Sequence, residues 1–490
     1  MEAQATTSIT LRIANSLDEV RQKGVPHVVD FTVLQLNDVY EAPPVEGGRL
    51  GGIARCTTLR KKLAAENPNF FSVLSGDFLS PSPISATTGD SGQHMVEALN
   101  SMGLDYVTVG NHEFDLSEED LLLRIEESRF QWVVSNVTNG LGEPFKNVAK
   151  NAVLEFEGEN GEKARVALIG VCLNMVKKPW IKYQNVIESA RQQVAELESR
   201  ADVFIAMTHL TMPEDHQLGT SVPRLDVLMG GHEHEAAKAI VGEDATPIFK
   251  ADSNARSALI HHFRFDTVTR TTNLFTELIP VDSRFGEDPE TAAVVQKWQK
   301  VTFDTLRAQG NEPLEIVGTA TEKLEGYEAD VRSRATNLTQ LIVESFLEAV
   351  PGADAVIFPA GQIRIDGNIP PGDIVYYDIV RIFPMGGKLS FLSMPGNFLR
   401  GLLNMGVAAK GTGAFHVRAN ITQDASGGWL VNGEPIVDDR VYKIVFGEIP
   451  TAAFSYPPFK GSGVSKLYDT RELRAILADR LRRDRAKLSA

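Results

Sequence analysis

The chain has 490 residues, 43% apolar and 23% charged, the balance of a soluble globular protein of two or three domains. Acidic residues outnumber basic ones 64 to 49, for a net charge of −15. That argues against binding nucleic-acid polymers, whose phosphate backbones need a basic footprint, but leaves room for a small phosphorylated substrate beside bound cations. Residues 1–26 read as a loosely structured lead-in. They lack the basic and apolar regions of a signal peptide, and the expected location is cytoplasmic. No stretch approaches the roughly 20 apolar residues a spanning helix needs, so no membrane partner is expected.

From residue 27 to 285 a rhythm sets in. Short β-rich runs each end in polar residues: "FTVLQLND", "FFSVLSGD", "DYVTVGNHEFD", "RVALIGV", "DVFIAMTHL", "DVLMGGHEHE" and "TPIFKADSNA". Helical patterns such as "ARCTTLRKKLAAEN" and "SEEDLLLRIEES" lie between them. Strands alternating with helices predict an α/β domain, with functional groups gathered where strands end. Cys56 and Cys172 fall in apolar stretches and suggest no disulfide framework. Residues 286–314 form a connector whose helix starts at Asp288-Pro289 and ends at Gly310. Residues 315–466 mix strands with one amphipathic helix, "TNLTQLIVESFLEAV", and read as an α+β domain. Residues 467–490 predict a basic amphipathic C-terminal helix that docks on the domain before it.

Five strand ends carry groups that hold metals: Asp38, Asp77, Asn111, His209 and the His232/His234 pair. Singly, each is an ordinary cap or loop residue. Together they supply the carboxylate, amide and imidazole donors of a divalent-metal site within one α/β domain. The local patterns are "SGDFLSPS", "VGNHEFD", "THL" and "GGHEHE".

That order resembles the calcineurin-like metallophosphoesterases. "GNHEFD" and the second domain narrow the likeness to the 5′-nucleotidase / UDP-sugar hydrolase family. The resemblance implies a layered α/β/β/α sandwich followed by a substrate-binding domain. It also implies two divalent ions, of Mn, Zn, Co or Mg, that activate water and clamp phosphoryl oxygens. By the family's pattern Asp77 bridges both ions, Asp38 and His234 hold the first, and Asn111, His209 and His232 hold the second. His112 is the match to the catalytic histidine, oriented and kept charged by Asp115.

The second domain matches more loosely. Arg364, in "PAGQIR", corresponds to a substrate-binding arginine, although one glycine of the family's loop is missing. Phe415, in "GTGAFHVRAN", corresponds to one of two aromatics that sandwich a base. The stretch for the second aromatic, "PTAAFSYPPF", lacks the family's glycines and aspartate, and leaves Phe454 and Tyr456 as alternatives. The implied substrate is a nucleotide phosphomonoester. A cyclic-nucleotide phosphodiesterase, a nucleotide-sugar pyrophosphate hydrolase and a non-catalytic metal-binding protein are the alternatives.

Tyr40 departs from the family, which has histidine there. On an extended segment Asp38 and Tyr40 point the same way, and a tyrosine overshoots a histidine by about the 2 Å of a metal–nitrogen bond. Three arrangements remain open: a phenolate ligand favouring iron, a hydroxyl hydrogen-bonded beside the site, or a weakly held first metal. The second is the expectation.

Overall fold

The computed structural model describes residues 10–21, 24–455 and 457–488. It forms two compact units, residues 1–301 and 302–490, with the helix Pro289–Ala308 running across the division.

The first unit is built on two sheets. The eight-stranded sheet runs in the order Thr10–Ile13, Thr271–Pro280, Ser257–Asp266, Val28–Leu36, Phe70–Ser75, Tyr106–Thr108, Gln131–Val133, Val148–Ala149. The six-stranded sheet runs Ala237–Val241, Thr246–Lys250, Val227–Gly230, Val203–His209, Lys163–Cys172, Asn151–Glu157. Val29, Phe31, Val33, Phe71 and Val73 of one sheet share a buried cluster with Val166, Leu168, Val203, Ile205 and Met207 of the other. The intervening side chains, such as Leu34, Leu36, Phe204 and Ala206, join a second cluster with the helices Ile53–Glu66, Gln93–Met102 and Val186–Leu197. A strand buried on both faces reads as a continuous apolar run, as "FTVLQL" and "VFIAM" do. This is the layered α/β/β/α arrangement.

The central strands of both sheets are parallel. Val28–Leu36, Phe70–Ser75 and Tyr106–Thr108 pair in parallel in one sheet. Lys163–Cys172, Val203–His209 and Val227–Gly230 do so in the other. Their carboxyl ends lie on one edge of the sandwich, where Asp77 and His209, from the two sheets, approach to 3.1 Å.

Two expectations need correction. The stretch 1–26 is not all loose: Thr10–Ile13 adds a parallel edge strand against Thr271–Leu274, and Leu17–Val20 is a helical turn capped by Ser16. At the other terminus the helix expected from residue 467 starts at Leu473, because residues 467–472 belong to the strand Ser465–Glu472.

The second unit has a five-stranded sheet, ordered His416–Ala419, Ala355–Pro359, Val441–Gly447, Lys388–Pro395, Ser465–Glu472. Helix Asn337–Ala349 buries Leu338, Ile342 and Phe346 in its core, together with Leu473, Ile476 and Leu477 of the C-terminal helix. Cys56 and Cys172 are free and buried. Among the described residues no helix is long and apolar enough to cross a membrane.

Candidate metal centre and active site

Four of the candidate donors sit on sharp turns. Asp38, Asp77, His232 and His234 all have positive φ, at 53°, 57°, 88° and 62°. Asp and His tolerate that region better than most residues, and such strain concentrates at functional sites. Two glycines make room for the turns. A Cβ on Gly110 would lie 2.1 Å from Asp77 Oδ1, and one on Gly231 would lie 2.9 Å from Asp38 Oδ2.

In both aspartates one oxygen secures the backbone and leaves the other for the site. Asp38 Oδ2 accepts from Asn37 Nδ2 at 2.8 Å and His232 N at 2.9 Å. Asp77 Oδ1 accepts from His112 N at 2.7 Å. The second oxygens turn inward. Asp77 Oδ2 lies 3.1 Å from His209 Nε2 and 3.1 Å from the Tyr40 hydroxyl, between two sets of donors. Asp38 Oδ1 lies 3.4 Å from His234 Nε2 and 4.0 Å from His209 Nε2.

The donor set fits cations. Asp77, His209 and His232 offer ligand atoms within 4.8 Å of one another. Among the described residues, Asn111 Oδ1 is buried without a hydrogen-bond partner, a costly state unless something else binds it, and His209 Nε2 faces the carboxylates of Asp77 and Asp38. The Nδ1–H of His209 donates to Ser75 O at 2.8 Å, so Nε2 is the nitrogen that faces inward and that a bound metal would take. Without a cation the charges compensate one another. Burial pushes Asp38 and Asp77 up, but the histidines, His209 first, hold both below the usual carboxylate range. Burial pulls His209 down, and Asp77 and Asp38 outweigh it, raising His209 to about 9. Burial and then His209 lower His232 to about 3.

His112 stands at the rim, its side chain 25% exposed. Its Nδ1 is 2.6 Å from Asp115 Oδ2, which also accepts from Ser80 Oγ at 3.0 Å. Lys178 Nζ donates to the Asp115 and Leu116 carbonyls at 3.0 Å each and fixes this turn.

Residues 31–236 match the family model "Calcineurin-like phosphoesterase", and residues 316–448 match "5′-nucleotidase, C-terminal domain". The chain joins a calcineurin-like phosphoesterase domain to a 5′-nucleotidase C-terminal domain. The phosphoesterase is 23% identical to the protein UshA of Yersinia enterocolitica, over 89% of this chain and 87% of that protein. It is 23% identical to a 5′-nucleotidase of Vibrio vulnificus, over 86% and 83% of the two chains. Among solved structures, the 5′-nucleotidase precursor of Thermus thermophilus shares the fold. Its TM-score is 0.76 at 20% identity, with 93% of this chain and 97% of that one covered.

Three supporting features of the phosphoesterase escape a reading of the sequence. Glu113 is fully buried and collects four backbone N–H groups: Asp77 at 2.8 Å, Phe78 at 2.8 Å, Leu79 at 3.1 Å and Gly110 at 2.6 Å. It ties the Asp77 loop to the Asn111–His112 turn. Lys250, buried, pairs with Glu233 between the two histidines and lies 2.8 Å from Asp215. A lysine inside the apolar run "PIFKA" is the available signal. Asn254 accepts from Tyr40 N at 3.0 Å and Glu41 N at 3.1 Å, and its own N–H donates to Asp38 O at 2.8 Å. It clamps the first turn.

The second unit departs from expectation at Phe415, which is 7% exposed and belongs to the core cluster with Phe358 and Val417. A ring so placed is a core side chain, and stacking on a base would require its neighbours to move. Arg364 lies 3.8 Å from Glu328, which also binds Arg332 at 2.5 Å. Phe454 is half-buried against Phe459, with ring centroids 5.1 Å apart, while Tyr456 lies outside the described residues.

Proposed function

We propose that the phosphoesterase hydrolyses nucleotide phosphomonoesters with two bound divalent ions. The observation that carries this reading is Asp77 Oδ2, set 3.1 Å from His209 Nε2 and 3.1 Å from Tyr40 Oη at the junction of two donor sets. In this reading Asp77 is shared between the ions. Asp38 and His234 belong to the first, and Asn111, His209 and His232 to the second. Asn111 contributes a neutral oxygen, which preserves net positive charge for an anionic substrate. When bound, the ions supply an activated water and neutralise phosphoryl oxygens.

The chain's own groups do the rest. In this reading His112 would act on the reacting phosphate, and Asp115, 2.6 Å from its Nδ1, fixes the ring. A charged imidazole there stabilises developing negative charge or gives a proton to the leaving oxygen. Arg364 is assigned to substrate binding. The nucleotide names of the relatives support the substrate class, and the pairing of His112 with Asp115 favours catalysis over a purely metal-binding role.

The test is hydrolysis of p-nitrophenyl phosphate, its bis ester and AMP by the metal-free protein, with Mn²⁺, Zn²⁺, Co²⁺ or Mg²⁺ added in turn. AMP should be cleaved fastest. Preference for the bis ester would indicate a phosphodiesterase instead. Stoichiometric metal binding with no turnover on any ester would sink the enzyme reading.

A further inference from the structure

The sequence premise for Tyr40, an extended segment, fails. The strand ends at Leu36, and Asp38 turns the chain with φ 53°. Asn254 then holds the Tyr40 and Glu41 amides, so the backbone is drawn back by the clamp. The phenol does not overshoot. Its hydroxyl lies 3.0 Å from His234 Nε2, 3.1 Å from Asp77 Oδ2 and 3.5 Å from Asp38 Oδ1.

Two geometries produce short contacts to several groups. A hydroxyl at the centre of its partners spreads them about 5 Å apart when each is at hydrogen-bond length. A hydroxyl that is itself one corner of a ligand polyhedron keeps every edge short. An ion about 2.1 Å from each donor sets donors about 3.0 Å apart at octahedral angles and about 3.4 Å apart at tetrahedral angles. The decisive edge is the one that omits the tyrosine. Asp38 Oδ1 and His234 Nε2 are 3.4 Å apart, so with the 3.0 and 3.5 Å edges to Tyr40 Oη they form a nearly equilateral face. The hydroxyl is a corner of that face. Asp77 Oδ2 stands 3.1 Å from the same hydroxyl and adds a further donor.

We propose that Tyr40 Oη is a protein ligand of the first metal ion, completing a set of Asp38, Asp77 and His234. The assignment rests on the two-ion reading above. On binding, the phenol O–H bond breaks, the proton leaves to solvent and the oxygen forms the bond to the ion. The first site then carries three anionic oxygens and one imidazole, a harder and more negative set than the Asn111, His209, His232 and Asp77 set. The two sites thereby differ in the ions they prefer, with the first favouring harder and more highly charged ions.

The experiment uses the full chain, freed of metal by chelation and titrated with Zn²⁺ at neutral pH. Metal content and the ultraviolet difference spectrum of tyrosinate are read together. The wild type should bind two ions and develop a tyrosinate band equivalent to one residue. Tyr40→Phe should show no band and hold one of the two ions at least ~10-fold more weakly, since even outer partners of metal sites act on that scale. Tyr40→His should restore the second ion without the band, which separates a lost ligand from a damaged fold. Zinc binding without a tyrosinate band overturns the assignment and leaves the two-ion reading standing. Two ions held with unchanged affinity by Tyr40→Phe also overturn it. No zinc bound by the wild type would overturn both.

Discussion

Glu113 and Asp77 are joined through the backbone: Glu113 Oε2 accepts the Asp77 N–H at 2.8 Å and the Gly110 N–H at 2.6 Å. Its other oxygen accepts from Phe78 at 2.8 Å and Leu79 at 3.1 Å. One carboxylate thus fixes two strand-end turns that approach the site from neighbouring strands. Replacing it with glutamine puts an NH₂ group against N–H donors. Glu113→Gln should cost about 1–3 kcal/mol for each donor left buried and unpaired. Urea denaturation in chelator measures the loss, and zinc content measures the displaced Asp77. A variant with unchanged stability would show that the four N–H groups find other partners.

The partnership of His112 and Asp115 separates chemistry from metal binding. His112 contributes its backbone N–H to Asp77, while its ring nitrogen Nδ1 pairs with Asp115. His112→Ala should lower kcat by about 10²–10⁴, the range for a positioned acid or charge-stabilising group, with metal content unchanged. Asp115→Asn should show a smaller loss, because Ser80 and Lys178 still hold the turn. Equal turnover in His112→Ala and wild type would remove His112 from the reaction.

How far the sequence reveals this molecule depends on distance along the chain. The donors each follow an apolar run that is buried on both faces, so strand ends and donor types are readable locally. In the structure Asp38, Asp77, His209, His232 and His234 lie close together. The edge strand Thr10–Ile13 is not readable, because only its pairing with Thr271–Leu274 makes it a strand. Glu113 is hidden for the same reason: its partners are four amides, three of them more than thirty residues away. Tyr40 is misplaced by a sequence reading because a positive φ at an aspartate leaves no mark in composition. Phe415 matches a family pattern, yet a pattern match does not report burial.

Lys250 predicts a coupling between the core and the double-histidine loop. Its ammonium lies 2.8 Å from Asp215 Oδ2 and 2.7 Å from Leu210 O, and it is bonded to Glu233. Burial already pushes Asp215 up to about 6 against the pull of Lys250. Lys250→Met removes the cation and strands a buried carboxylate, which should cost about 3–5 kcal/mol. Glu233 would keep its bond from Met212 N but lose the lysine, so the segment between His232 and His234 is held less firmly and zinc affinity should fall as well. A stability loss with zinc affinity intact would confine Lys250 to the core.

Asp90 offers a pH dependence distant from the donor sets. Its Oδ2 accepts from His94 N at 2.7 Å and lies 2.8 Å from His94 Nδ1, and Ser85 Oγ donates to its Oδ1 at 2.6 Å. Burial raises this carboxyl, but His94 and Ser85 outweigh it and hold its pKa below the ordinary 3.8. Between the depressed folded value and 3.8 the unfolded chain binds more protons, so stability falls as pH falls through that window. Above 3.8 the contribution is complete and flat. Asp90→Asn removes it. The stability difference between wild type and variant, from urea denaturation with chelator present, should be constant above about pH 5, where an ordinary carboxyl is ionised. It should narrow as the pH drops below 3.8. A difference that stays constant into that range would mean Asp90 contributes hydrogen bonds alone and no charge-linked stability.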